Sequence, residues 1–311
     1  MGPSNVRIHE VSPRDGLQNE AAVVSTATKA ALVGRLEAAG LRDVEVTSFV
    51  RPDWIPQLAD AAALVAALGP AGGVARWGLV PNRVGLERAR AVGLGHVATV
   101  LSASETHNRK NLNRSIDESL AGVEEVLAAA RAAGLGTRAY VSTVFGCPYE
   151  GDVAPASTLR IARRLREAGA GTVVLGDTTG MANPALVERV LGVLVDGGVP
   201  VEALALHMHD TRGGALANAL TAWRCGVGTF DASVAGIGGC PYAPGAAGNL
   251  ATEDLVYMLH GMGVATGVDL EALAEAGAFM ETALGRTLPG RYHQAWLGER
   301  DRAVTVAMAA T

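Results

Sequence analysis

Short β-branched runs alternate with Ala- and Leu-rich stretches of helical spacing almost to the end of the chain, and eight such pairs can be counted. The strand candidates are Val6 to Val11, Val44 to Val46, Ala75 to Val80, His96 to Leu101, Arg138 to Val144, Thr172 to Leu175, Ala203 to His209 and Phe230 to Val234. A helix candidate follows each, beginning near Ser25, Pro56, Asn82, Ser115, Ala156, Pro184, Gly214 and Thr252. Several of these open on Ser, Thr, Asn or Pro, the residues that cap a first turn or pre-set its φ. Gly40, Gly93, Gly134 and Gly169 stand where a left-handed residue closes a helix. Strands alternating with helices imply parallel pairing, and eight units over roughly 250 residues fit an α/β fold of the (β/α)8 TIM-barrel type better than an open sheet. A dinucleotide-binding sheet would show a Gly-rich fingerprint after its first strand, whereas that position reads Ser12-Pro13-Arg14-Asp15-Gly16. With no Pro/Ser linker to divide the chain, residues 1–284 are expected to form one barrel domain that includes an additional C-terminal helix, Leu270 to Leu284. The tail, residues 285–311, is expected to cover the barrel, to pack on a neighbouring subunit or to be disordered.

Composition narrows the partners. Of 311 residues, 49% are hydrophobic and 18% charged, enough apolar surface for one large core. Lys and Arg number 26 against 31 Asp and Glu, a formal charge of −5 without a long basic run, so an electrostatic grip on nucleic acid or anionic lipid is not expected. Cys147, Cys225 and Cys240 lack CxxC spacing, which argues against a disulfide framework or a zinc ribbon. The first ten residues lack the apolar core of a signal peptide, and no stretch reaches the length of a membrane span. The expectation is a cytoplasmic protein acting on a small molecule.

In a barrel of this kind the active site lies at the C-terminal ends of the strands. Polar residues crowd there: Arg14-Asp15 after the first strand, Glu45 and Thr47-Ser48 on the second, Asp177-Thr178-Thr179 after the sixth and His207-Met208-His209-Asp210 on the seventh. Side chains two apart on a strand share a face, so His207 and His209 can both look into the barrel. With Asp15 from across the ring, they form a nitrogen and oxygen set suited to Mg²⁺ or Mn²⁺, with Zn²⁺ and Fe²⁺ also open on ligand type. Arg14 is either a surface ion-pair partner of Asp15 or a cation aimed at whatever the metal holds. Glu45 lies between Val44 and Val46 and so faces the interior, as a structural salt-bridge partner of an Arg, for which Arg14 is available, or as part of the site. Asp177 and Asp210 either orient ligands or cap the helices that follow. Cys240 sits among Gly236, Gly238, Gly239, Gly245 and Gly248, a thiol on a Gly-rich loop. Cys147 and Cys225 read as structural. Asn249 offers an oxygen to the metal or caps the helix at Thr252.

These residues spell out a known pattern. The segments Ser12 to Glu20 (SPRDGLQNE), Val46 to Asp60, Phe145 to Gly151 (FGCPYEG), Leu175 to Gly180 (LGDTTG), His207 to Asn218 (HMHDTRGGALAN) and Ser233 to Leu259 resemble the 3-hydroxy-3-methylglutaryl-CoA lyase family, within the wider barrel metallolyases that include isopropylmalate and homocitrate synthases. The resemblance implies retro-Claisen cleavage of an acyl-CoA to acetyl-CoA and a 3-oxo acid, with Mg²⁺ or Mn²⁺. It also implies a homo-oligomer, with neither nucleic acid nor membrane as a partner. It makes Asp15, His207, His209 and Asn249 the metal ligands and Arg14 the stabiliser of the departing enolate. Glu45 is then a supporting carboxylate, Asp177 an accessory catalytic residue and Cys240 a proton-transfer group. Asp15, His207 and a metal-held water all stand as candidates for the base. Gln18, Ser48 and Thr178 are expected to bind substrate, and Arg109, Lys110 and Asn111 to meet the CoA phosphates unless they are a solvated charge cluster.

The chain departs from the mitochondrial pattern at Arg212-Gly213-Gly214, where that pattern has Tyr-Gly-Gln, at Arg51 and Asp53, where it has Ser and Lys, and at His107, where it has an aromatic residue. These changes keep the reaction class but touch recognition. The alternatives are a lyase for another 3-hydroxy-3-alkylglutaryl-CoA, such as the isohexenyl compound, a Claisen-condensing synthase, an Fe²⁺ oxygenase and a non-enzymatic acyl-CoA-binding barrel.

Overall fold

A computed structural model describes residues 2–239 and 248–309, with side chains as far as residue 302. Eight parallel strands close into a barrel in sequence order: β1 (Arg7–Glu10), β2 (Asp43–Ser48), β3 (Ala75–Leu79), β4 (His96–Ser102), β5 (Gly136–Ser142), β6 (Thr172–Gly176), β7 (Leu204–His207) and β8 (Thr229–Ala232). The last strand pairs with the first, Arg7 opposite Thr229 and Glu10 opposite Ala232, which removes both sheet edges. Outside them run α1 (Thr26–Ala38), α2 (Ala61–Leu68), α3 (Arg83–Ala91), α4 (Glu105–Leu112), α5 (Ile116–Ala132), α6 (Pro155–Ala168), α7 (Pro184–Asp196), α8 (Ala215–Arg224), α9 (Thr252–Gly261), α10 (Leu270–Leu284) and α11 (Arg291–Ala309). The TIM barrel expected from the periodicity is the fold observed.

Local chemistry accounts for the boundaries. Ser25, Asn82 and Asn183 each accept a backbone N–H of the first turn they precede. Ser115 and Glu118 form a reciprocal capping box at the start of α5. Gly40, Gly93, Gly134 and Gly169 all have positive φ just past a helix end. At Gly40 a side chain is excluded twice over, since a Cβ would lie 2.3 Å from the carbonyl oxygen of Gly267.

Several elements differ from the sequence reading. Near Pro56 there is only a single 3₁₀ turn, Pro56–Leu58, and α2 begins at Ala61. The Asp60 carboxylate, which would otherwise cap α2, instead accepts Lys29 Nζ and Thr26 Oγ1 of α1, each at 2.7 Å. The helix α4 has no counterpart among the helix candidates, because ETHNRKNL lacks an apolar stripe; it is held by the Ser104 cap and stopped by Asn113 at φ 54°. β7 is shorter than expected at both ends, and β8 begins one residue earlier and ends two residues earlier than expected. His209 lies past the β7 ladder, and Val234 already belongs to a 3₁₀ turn, Val234–Gly236. In the tail, α11 packs against α9, α10 and that turn.

The large core fills the space between barrel and helices, with Ile8, Val44, Val46, Val97, Val141, Val173 and Leu206 facing outward. Inside the barrel, Leu79, Ala98, Tyr140, Val174 and Ala205 make a small apolar cluster. The rest of the interior is polar, and His9, Glu45, Arg138, His207 and Asp231 are all buried there. No helix among the described residues is long and apolar enough to cross a membrane.

Ser115→Ala is expected to remove one half of the α5 capping box and cost about 1 kcal/mol. Chemical denaturation checks this; an unchanged midpoint would mean that tertiary packing alone sets the start of α5.

Candidate metal centre at the barrel mouth

After β1 the chain makes a π-helical turn, Ser12–Gly16, in which the backbone N–H groups of Arg14, Asp15 and Gly16 all converge on the carbonyl oxygen of Val11. Gly16 allows a close fit, because a Cβ there would lie 3.1 Å from both Ile237 and Ser233 and would push on them. The turn places Arg14 in the barrel mouth, 6% exposed. Its Nε donates to Glu45 Oε1 and its Nη1 to Asp15 Oδ1. Glu45, fully buried on β2, also accepts the Tyr140 hydroxyl at 2.6 Å and lies 3.3 Å from His9 Nε2. Both readings of Glu45 thus meet in one geometry: it is the Arg14 partner, and it is in the site.

Asp15, His207 and His209 present ligand atoms that all lie within 4.8 Å of one another. The two Nε2 atoms are 3.1 Å apart, and His207 Nε2 lies 3.8 Å from Asp15 Oδ2. Asn249, bridged to His209 by backbone pairing, donates Nδ2 to Asp15 Oδ2 at 3.0 Å and to the Ile237 carbonyl at 3.2 Å. With both neighbours acceptors, the amide is oriented, and its Oδ1 is left buried without a hydrogen-bond partner. A cluster of ring nitrogens, a carboxylate and an unpartnered amide oxygen fits a hard to borderline divalent cation. Gly238, at φ 117°, protects this arrangement: a Cβ there would lie 2.6 Å from Asn249 Nδ2.

The electrostatics suit ligation. Burial works against an ionised Asp15, but the charge of Arg14, followed by those of His207 and His209, outweighs it and holds the carboxyl at about 2. Glu45 is likewise held at about 2, chiefly by Arg14 against the effect of burial. Burial and the neighbouring His207 push His209 down to about 4. For His207, burial favours the neutral ring, yet the hydrogen bond to Asp231 and the charges of Asp15 and Asp231 together raise its pKa.

Asp231 is the functional residue the sequence reading missed. It accepts from His207 Nδ1 at 3.2 Å and from Arg138 Nη2 at 2.5 Å while fully buried on β8. It therefore orients the ring and selects the tautomer whose Nε2 lone pair faces the cluster. The available signal was a lone carboxylate between Phe230 and Ala232, with Arg138 and Tyr140 as its counterparts two apart on β5.

Gln18 Nε2 donates to Asp15 Oδ1 at 2.9 Å, so it joins the cluster. Asp177 accepts the backbone N–H groups of Met181 and Ala182 through Oδ1, its Oδ2 is buried and unpartnered, and burial raises its pKa to about 6. Asp210 accepts the N–H of Ala215 and caps α8. Ser48 Oγ accepts from the Val50 N–H, and Thr178 Oγ1 from the Thr143 N–H. On α4, Arg109 pairs with Glu105 at 2.7 Å, Lys110 lies over the Tyr149 ring at 4.4 Å and Asn111 is exposed. Of the departures, Arg212 donates to the carbonyls of Thr179 and Gly180, His107 Nδ1 lies 2.6 Å from Ser102 Oγ, and Arg51 pairs with Asp53 at the surface. Cys240 lies outside the described residues. Cys147 is buried and accepts from the Ser104 hydroxyl, in keeping with a structural role.

Fold and mouth together define a (β/α)8 barrel with a candidate divalent-metal site flanked by a buried guanidinium. The HMGL-like family model matches residues 5–280, and the chain belongs to that family. A mitochondrial hydroxymethylglutaryl-CoA lyase from Bos taurus is 51% identical over 293 residues, 94% of this chain and 90% of that protein. The crystal structure of a Bacillus subtilis HMG-CoA lyase aligns with a TM-score of 0.93 and 49% identity, covering 95% of this chain and 99% of the other. An Acinetobacter baumannii HMG-CoA lyase, solved in complex with coenzyme A and 3-methylmalate, aligns with a TM-score of 0.89 and 37% identity over 94% of this chain and 95% of that one.

Asp231→Asn is expected to weaken metal affinity about 10- to 100-fold by disturbing the His207 ring; calorimetry with Mn²⁺ checks this, and unchanged affinity would leave Asp231 a packing role. Protons compete for the imidazoles, and His207 takes one more readily than an ordinary His. Mn²⁺ affinity should therefore fall as pH is lowered from about 8 to about 6, with proton release on binding. A flat profile would remove both imidazoles from the ligand set.

Proposed function

We propose that the protein is a divalent-metal-dependent lyase that cleaves 3-hydroxy-3-methylglutaryl-CoA to acetyl-CoA and acetoacetate. The observation that carries this reading is the junction of two features: the Asp15, His207 and His209 cluster, and the Arg14 guanidinium bonded to Asp15 and backed by Glu45. Family membership and the named relatives support the same reaction.

Asp15, His207, His209 and Asn249 would hold the ion, Mg²⁺ or Mn²⁺, which supplies Lewis-acid polarisation of the substrate oxygens. Cleavage requires the C3 hydroxyl to lose its proton as the C2–C3 bond breaks, C3 becoming the ketone of acetoacetate and the bonding electron pair passing into the thioester as an enolate. Arg14 is the group that meets this developing charge. It is fully preorganised, since Glu45 and Asp15 already fix its fork, and one such donor contributes roughly 3 kcal/mol in a dry site. Asp15 and His207 are the side chains proposed to take the hydroxyl proton. Cys240, by its place in the motif, returns a proton to the enolate carbon to give the acetyl group. Asp177, with one unpartnered oxygen and a pKa near 6, is an accessory group that can hold or release a proton near neutrality. Gln18, Ser48 and Thr178 are proposed to contact the substrate, and Arg109, Lys110 and Asn111 the CoA phosphates.

The test is release of acetoacetate from hydroxymethylglutaryl-CoA with Mg²⁺ or Mn²⁺, alongside a panel of 3-alkyl analogues. Consumption of acetyl-CoA plus a 2-oxo acid, with hydroxymethylglutaryl-CoA left intact, would make the protein a condensing enzyme instead. Arg14→Gln is expected to lower kcat by about 10²-fold or more while changing Mn²⁺ affinity far less. A small effect on kcat would reduce Arg14 to a structural partner of Glu45.

A further inference from the structure

Glu10 ends β1 with a side chain in the wrong place for its chemistry. His9 points into the barrel toward Glu45, so Glu10, like Ile8 before it, points outward into the layer between barrel and helices. Strand patterning calls for an apolar residue there, yet the carboxyl is 0% exposed. Burial raises its pKa, opposed by hydrogen bonds from Ser12 and Thr252. Such a group is tolerated only when its oxygens are well bonded.

Those bonds run to three separate segments. Oε1 accepts the N–H of Ser12 at 2.9 Å and the N–H of Val234 at 2.9 Å, and Oε2 accepts the Thr252 hydroxyl at 2.6 Å. Ser12 opens the π-helical turn that carries Arg14 and Asp15. Val234 opens the turn after β8, whose Ile237 carbonyl holds Asn249 Nδ2 and also accepts the Ser233 hydroxyl. Thr252 follows Asn249 by three residues and starts α9. The bonds close a ring: Glu10 to the Asp15 turn, Asp15 to Asn249, Asn249 to Ile237, and the Ile237 turn back to Glu10. The turn after β8 is braced on its other side by Glu253, which accepts the N–H of Ala235 at 2.7 Å, a non-glycine residue at φ 50°, and by the Gly290 N–H on the Ala235 carbonyl. Through one oxygen Glu10 bonds this turn to the Asp15 turn at the backbone, and the Asn249 amide joins the same two turns through the Asp15 side chain.

We infer that Glu10 is a positioning residue of the metal centre, a single carboxyl on a rigid strand that sets the placement of the segments carrying Asp15 and Asn249. The inference rests on reading those two residues as ligands and is independent of the reaction proposed. Its role differs from that of Asp231, which orients one ring; Glu10 orients the loops on which two ligands ride.

The experiment is Mn²⁺ titration by calorimetry on the full-length protein without substrate, together with thermal melts, for wild type, Glu10→Ala, Glu10→Gln and Thr252→Val. Glutamine supplies an acceptor for the two N–H groups and a donor for the Thr252 oxygen. The expected result is a loss of Mn²⁺ affinity of about 10-fold or more in folded Glu10→Ala, in the range of outer-sphere ligand supports, with Glu10→Gln close to wild type. Thr252→Val should show a smaller loss in the same direction. Lower Tm with wild-type affinity in folded Glu10→Ala would overturn the inference, because a merely structural carboxyl would behave that way. If Glu10→Ala does not fold, Thr252→Val decides: weakened binding supports the inference and unchanged binding overturns it. Absence of Mn²⁺ binding in the wild type itself would overturn the metal-site reading, and this inference with it.

Discussion

A guanidinium cannot be buried unless its charge is answered, and in this protein that requirement organises the mouth of the barrel. Arg14 is enclosed between Glu45 and Asp15, and each acid is kept ionised by it. Removing one member would leave an uncompensated charge in a low-dielectric interior, a far larger penalty than the modest net gain of the intact set. The arrangement is therefore held as a unit. Glu45 is fixed in turn by Tyr140 and His9, so the position of a charge at the top of β1 is set by residues on β2 and β5.

The same logic extends across the ring. Arg138 is answered by Asp231, and Asp231 by His207. Two buried cation–carboxylate sets thus converge on one small volume, one ending in the Asp15 oxygens and the other in the His207 ring. Both leave a lone pair directed inward instead of a closed salt bridge. Beside these answered charges the Asn249 oxygen and one Asp177 oxygen are buried without hydrogen-bond partners, which leaves both free to meet a ligand.

Much of this was legible in the chain. Period-2 apolar runs separated by capped helices were enough for the barrel, because each Ser, Asn or Gly boundary signal acts within a few residues of itself. The HxH pair, Arg14-Asp15 and the outward valines around Glu45 placed the centre at the strand ends. What could not be read was whatever depends on distant partners. The helix expected from Pro56 begins instead at Ala61, after a 3₁₀ turn and with Asp60 tied to α1, and α4 was hidden because polar residues carry no stripe. Asp231 and Arg138 become intelligible only when β5 and β8 face each other across the interior. Glu10 carries no signal of its own within the Val6 to Val11 strand candidate, since its environment depends on three separate segments meeting on it.

The proposed ligand residues lie far apart along the chain: Asp15 in the first βα unit, His207 and His209 in the seventh, and Asn249 after the eighth. During synthesis the carboxylate emerges early, while both imidazoles and the amide arrive only when most of the chain has been made. No partial barrel can offer the complete coordination sphere. An ion that binds only the finished ring stabilises that ring alone, drawing the assembly equilibrium toward closure in proportion to how far its concentration exceeds its dissociation constant. A cation held by the proposed ligand set would thereby couple catalytic competence to completion of the polypeptide's circular architecture.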